Sequence, residues 1–94
     1  MSRAPTEADV DEAWLEVARQ RRLAGAAARE ALERRWLAST LAGDPLQPRA
    51  QGLAAAADFH ETRAERLAEG ALSAARLAAD LEARLETGRV ARCA

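Results

Sequence analysis

From Leu53 to Leu85 the chain returns to one edge of a helix at alternating steps of four and three. The series is Leu53, Ala57, His60, Ala64, Leu67, Ala71, Ala74, Ala78, Leu81 and Leu85, and nine of its ten members are Leu or Ala. A mean step of 3.5 residues is what a helix shows when one narrow edge packs along another helix. A matching series precedes it: Val10, Trp14, Val17, Arg21, Ala24, Ala28, Ala31, Arg35, Ala38 and Ala42, apolar except at the two arginines. Two such edges predict an all-α fold, a long antiparallel two-helix hairpin with a coiled-coil-like, Ala-rich seam.

Local signals bound the two helices. Thr6 with Asp9 three residues on reads as a capping box, with the acid where the helix dipole favours it. No proline falls between Glu7 and Ala42, and the one internal glycine, Gly25, costs about 1 kcal/mol relative to Ala. Gly43, Asp44-Pro45 and Gln47-Pro48 stop the first helix and start the second. The expectation is one domain over residues 1–94: helix 1 about 7–42, turn 43–48, helix 2 about 49–87, and a frayed tail 88–94 after Gly88. So short a turn makes the helices antiparallel neighbours. Residue i then faces about residue 91 minus i, which sets Trp14 against Ala74, Leu77 and Ala78, and Val10 against Leu81.

One position after each seam residue lies a second stripe. On helix 1 it reads Leu15, Ala18, Arg22, Gly25, Arg29, Leu32, Trp36; on helix 2, Glu61, Glu65, Ala68, Leu72, Ala75, Ala79, Glu82, Glu86. A step of one residue rotates ~100°. In antiparallel helices both rotations lead to the same side. The expected partner-binding face is therefore Leu15, Ala18, Gly25, Leu32, Trp36, Ala68, Leu72, Ala75 and Ala79. A hairpin has nothing of its own to cover such a face, and contiguous exposed apolar surface marks an interaction site. Dimerisation or a partner protein would complete a four-helix bundle. Leu37, Leu41, Ala56 and Phe59 form a smaller apolar patch near the turn.

Arg21 and Arg35 interrupt the first seam fourteen residues apart, and so at one heptad position. They are expected to fix register or partner choice by pairing with acids, Arg35 with Asp58 or an acid of a partner, and Arg21 near Glu69. His60, the one histidine, has only Asp58, Glu61 and Glu65 nearby, with neither a His-x-x-x-His nor a Cys-x-x-Cys pair. It reads as a seam-edge residue. No phosphate loop or nucleophile motif occurs. The chain is thus expected to be no enzyme and to need no cofactor or metal.

Composition narrows the partners. Acids and bases interleave to a net charge of -1. The Arg19, Arg21, Arg22 cluster has no aromatic beside it to stack on a base, so nucleic acid is not expected. All 14 basic residues are Arg and 26 residues are Ala, as codon use in a GC-rich, bacterial genome would give, so the arginines alone do not point to phosphate. No apolar run is long enough to insert into a membrane, and Met1-Ser2-Arg3-Ala4-Pro5 leads straight into acids without a secretory signal. With Cys93 as the only cysteine, the expected compartment is the cytoplasm.

The expected function is protein–protein interaction by an adaptor, chaperone or accessory subunit. In shape the hairpin is similar to the small chaperones of bacterial type III secretion. One alternative is a structural homo-oligomer. Another is a small secreted helical hairpin of a specialised secretion system such as type VII, although Leu41-Ala42-Gly43-Asp44 lacks the Trp-x-Gly turn of that class.

Overall fold

A computed structural model describes residues 4–42 and 48–93. Two helices make up the fold, α1 (Glu7–Leu41) and α2 (Arg49–Cys93), packed along each other as a hairpin. Thr6 caps α1 as expected. Its backbone N–H donates to Asp9 Oδ2 at 2.8 Å, and its Oγ1 accepts from the Asp9 N–H at 3.2 Å. α1 runs unbroken through Gly25. α2 starts at Arg49, with the Gln51 N–H donating to the Pro48 carbonyl. The rest of the turn, 43–47, lies outside the described residues.

α2 does not stop at Gly88. It continues to Cys93, so the frayed tail expected from residue 88 is instead one and a half further turns. Gly88 falls at the next heptad position after Leu81 and Leu85 and is half-buried, and no glycine among the described residues has positive φ. Arg89 reaches back to Glu7 at the start of α1 and to Glu86 one turn earlier. A seam position and an anchored arginine outweigh the local preference of glycine for a helix end.

The seam on α2 is the one read from the sequence, and all ten of its residues are buried or half-buried. On α1 half of the series needs correction. Val10, Val17, Ala24, Ala31 and Ala38 do face α2, but between them the inward positions are Ala13, Gln20, Ala27, Arg34 and Leu41. Arg21, Ala28, Arg35 and Ala42 are exposed, and Trp14 is partly buried at the flank. Both phases satisfy the heptad. The observed one keeps two guanidinium groups out of a dry seam, admitting a neutral amide at Gln20 and an arginine stem at Arg34 whose head turns to Glu30. Arg35–Asp58, Gln20–Gly70 and Glu7–Arg89 place residue i of α1 level with about residue 93 minus i of α2, close to the expected register.

This is a thin core. Among the described residues the buried ones are Val10, Val17, Ala27, Ala31, Ala38, Ala57, Ala71 and Ala78, and of these Val17 alone is a large side chain below 2% exposure. The hairpin measures 75 × 21 × 14 Å with a radius of gyration of 20.9 Å, against about 12 Å for a compact chain of this length.

Candidate interaction surface

Large aliphatic and aromatic side chains that the seam does not use remain in solvent. Leu15 and Leu32 are 69% exposed, Trp36 67% and Leu72 59%. Of the other residues expected on the binding face, Ala68 and Ala79 are exposed, and Ala18, Gly25 and Ala75 are half-buried.

The rotated phase of α1 divides these nine residues between two surfaces. Leu15 lies two positions from both Ala13 and Val17, and Trp36 two from both Arg34 and Ala38. Two positions are ~200° of rotation. Leu15, Arg22, Arg29 and Trp36 therefore form the outer row of α1, pointing away from α2. Leu32, Trp36 and Leu37 line one shallow recess there with Glu33. Ala18, Gly25 and Leu32 lean from that row toward one flank of the hairpin. Ala68, Leu72, Ala75 and Ala79 lie on the same flank of α2, so this flank and the outer row of α1 meet at Leu32.

Arg35 marks the flank. It donates to Asp58 Oδ1 at 2.9 Å and to Glu61 Oε2 at 2.6 Å, tying α1 to α2. The Asp58 hydrogen bond first, then the charge of Glu61, raises its pKa above the ordinary value. These pairs are exposed, so each is no stronger than a surface ion pair screened by solvent. They act on register more than on stability. Arg21, the other arginine expected to pair, is exposed and has no ion pair among the described residues.

The opposite flank is bridged by its own polar side chains. Glu16 accepts from Arg19 Nε at 2.8 Å and from Gln20 Nε2 at 3.0 Å. These bonds, Arg19 first, lower its pKa from 4.5 to about 2. The Gln20 amide lies over Gly70, where a Cβ would collide with it. Here the absence of a side chain in α2 makes room for a polar one from α1. The seam series expected on α1 runs through Arg21 and leaves Gln20 out, so it does not foretell this contact. Phe59, expected to pack near the turn, is 65% exposed and meets the His60 ring edge-on at 5.4 Å. His60 is half-buried, its Nδ1 without a hydrogen-bond partner.

Among the described residues no group of three His, Cys, Asp or Glu side chains could hold a metal ion, and no helix is long and apolar enough to cross a membrane. The sequence matches no protein-family model, and neither the curated proteins nor the solved structures compared with it gave a match.

Proposed function

We propose that this protein is a non-catalytic protein–protein interaction module, an adaptor, chaperone or accessory subunit that offers the outer row of α1 and the Leu72 flank to a partner. The observation that carries the reading is unused surface. The chain exposes 7017 Å², against roughly 5,300 Å² for a compact monomer of its mass. The excess includes Leu15, Leu32, Trp36 and Leu72. Helices with apolar residues at these spacings dock into, or receive, other helices. The single cysteine, free and exposed, suits a reducing compartment such as the cytoplasm.

The test is site-specific photo-cross-linking in the native cell, with p-benzoylphenylalanine in place of Leu72, Trp36 or Arg76. Arg76 is exposed and lies two positions from both Ala74 and Ala78, on the far side of α2. Adducts with polypeptide should form from positions 72 and 36 and not from 76. The same adducts from all three positions, or from none, would overturn the assignment.

A further inference from the structure

The flank that carries Leu72 is divided by charge along its length. On α1 the positions projecting there run Trp14, Ala18, Arg21, Gly25, Ala28, Leu32 and Arg35, and every charged one is an arginine. On α2 they run Ala54, Asp58, Glu61, Glu65, Ala68, Leu72, Ala75, Ala79, Glu82 and Glu86, and every charged one is a carboxylate. Beyond these stretches the signs exchange on both helices together, at Asp11 and Arg89. Within these stretches, among the described residues, Arg35 alone spends its charge across the flank, on Asp58 and Glu61; beyond them Arg89 pairs with Glu7. Arg21, its outer-row neighbours Arg22 and Arg29, and Glu65 and Glu82 have no ion pair among the described residues.

We propose that this flank binds a second copy of the chain about a two-fold axis parallel to the long axis of the hairpin, so that α1 of each copy lies on α2 of the other. The inference rests on the hairpin being an interaction module and names its partner. Under that operation a basic edge meets an acidic edge on both sides of the interface. A two-fold across the long axis would lay α1 on α1, arginine on arginine, which like-charge repulsion opposes. Residues level within one hairpin stay level between copies. Arg29 then comes beside Glu65 of the other copy, Arg35 beside its Asp58 and Glu61, Ala18 beside its Ala75, and Gly25 beside its Ala68. Small residues meet small ones, so helices can approach to the short end of the ~8–10 Å range. Gly25 leaves open space there, since a Cβ on it would touch nothing within 4 Å. All neighbouring helices in the resulting four-helix bundle are antiparallel.

The area is sufficient. A face of 75 by 21 Å offers on the order of 1,500 Å² in projection, against the ~800 Å² per partner of a stable interface. On the opposite flank Glu16 is engaged by Arg19 and Gln20, Glu30 by Arg34 and Asp80 by Arg84, each within its own helix. Glu12, Glu33, Arg63 and Arg66 have no ion pair there among the described residues, but Arg19 on α1 and Asp80 on α2 break the separation by sign that the Leu72 flank keeps.

The test is sedimentation of the full chain as wild type, Leu72→Arg and Leu77→Arg, joined to a spin-label distance at Cys93. Leu77 is 61% exposed, as Leu72 is 59%, but it shares a groove with Ala13 and Glu16 on the other flank. The wild type should be a dimer. Leu72→Arg should raise its dissociation constant on the order of 100-fold or more, because in each half of the interface the new arginine lies level with Arg21 of the other copy. Leu77→Arg should leave it little changed. Labels on Cys93, exposed at the end of α2, should lie about 15–30 Å apart across the diagonal of a bundle with ~8–10 Å neighbours. A separation near the 75 Å length of the hairpin would overturn the parallel two-fold. A dimer lost with Leu77→Arg and kept with Leu72→Arg would overturn the choice of flank. A wild-type monomer that still cross-links other polypeptides from position 72 would overturn the second copy and leave the interaction reading standing. A monomer giving no adduct at all would overturn both.

Discussion

Three consecutive alanines, 26, 27 and 28, decide which edge of α1 faces α2. Ala27 is 4% exposed, and both its neighbours are exposed. Replacing each in turn with Asp gives three variants with the same loss of helix propensity, up to about 0.7 kcal/mol. Only Ala27→Asp also forces a carboxylate into the seam. If that carboxylate must protonate to stay there, an ordinary pKa of ~3.9 sets the cost near 4 kcal/mol at pH 7. Partial escape of the side chain toward the edge lowers this, so the expected excess over Ala26→Asp is about 2–4 kcal/mol. At roughly 4–8 °C per kcal/mol for a domain of this size, that is a drop of about 10 °C or more. The sign of the pH dependence is fixed as well. A carboxyl whose pKa is raised on folding destabilises increasingly as pH rises above its unfolded value. The gap between the Ala27 and Ala26 variants should therefore close toward pH 4. Thermal melts by far-UV circular dichroism at pH 4 and 7, in dilute protein, measure all of this. If Ala28→Asp melts lower than Ala27→Asp, the seam lies one residue over and the outer row of α1 is misplaced.

Trp14 is partly buried at the flank, so Trp14→Ala should cost about 2–3 kcal/mol, below the 3–5 of a fully enclosed aromatic; chemical denaturation reads the difference, and an unchanged midpoint would place Trp14 in solvent. The Glu16 carboxylate, held at about 2 by Arg19 and Gln20, contributes stability above its ordinary 4.5 that is lost as pH falls toward 2. Glu16→Gln should therefore lower the melting temperature near neutral pH and flatten its fall between pH 5 and 2; an unaltered acid limb would mean that these hydrogen bonds do not persist in solution.

What was legible in the sequence was what one helix decides alone. Thr6 and Asp9 cap α1 through bonds three residues apart, and the α2 edge contains no competing phase, since the alternative would bring Glu61 and Glu82 inward. On α1 the two phases differ at five gaps, filled by Ala13, Gln20, Ala27, Arg34 and Leu41 in one and by Trp14, Arg21, Ala28, Arg35 and Ala42 in the other, each with three apolar residues and two polar ones. Local apolarity cannot separate them. The choice depends on what α2 presents opposite, and Gly70 accepting the Gln20 amide is a tertiary fact. The continuation of α2 through Gly88 was hidden for the same reason, because Glu7 anchors Arg89 from the far end of the sequence. The candidate face inherited the phase error. Leu72 and its alanines share one flank of α2, whereas Leu15 and Trp36 turn to the outer side of α1.

A seam of small residues two helices wide also sets how the molecule comes apart. Each layer touches only the layers above and below it, as in a solenoid, and no side chain such as a central tryptophan ties distant layers together. Unfolding energy then accumulates along one dimension, like the teeth of a zipper. The end held by Glu7 and Arg89 closes the longest loop and is joined by an exposed ion pair, so it should open without disturbing the layers around Val17 and Ala78. Amide protons would record this as a gradient of exchange rates, slowest in the middle of the hairpin, in place of one shared global rate. A chain built this way lends out its ends at low cost while its centre keeps the register.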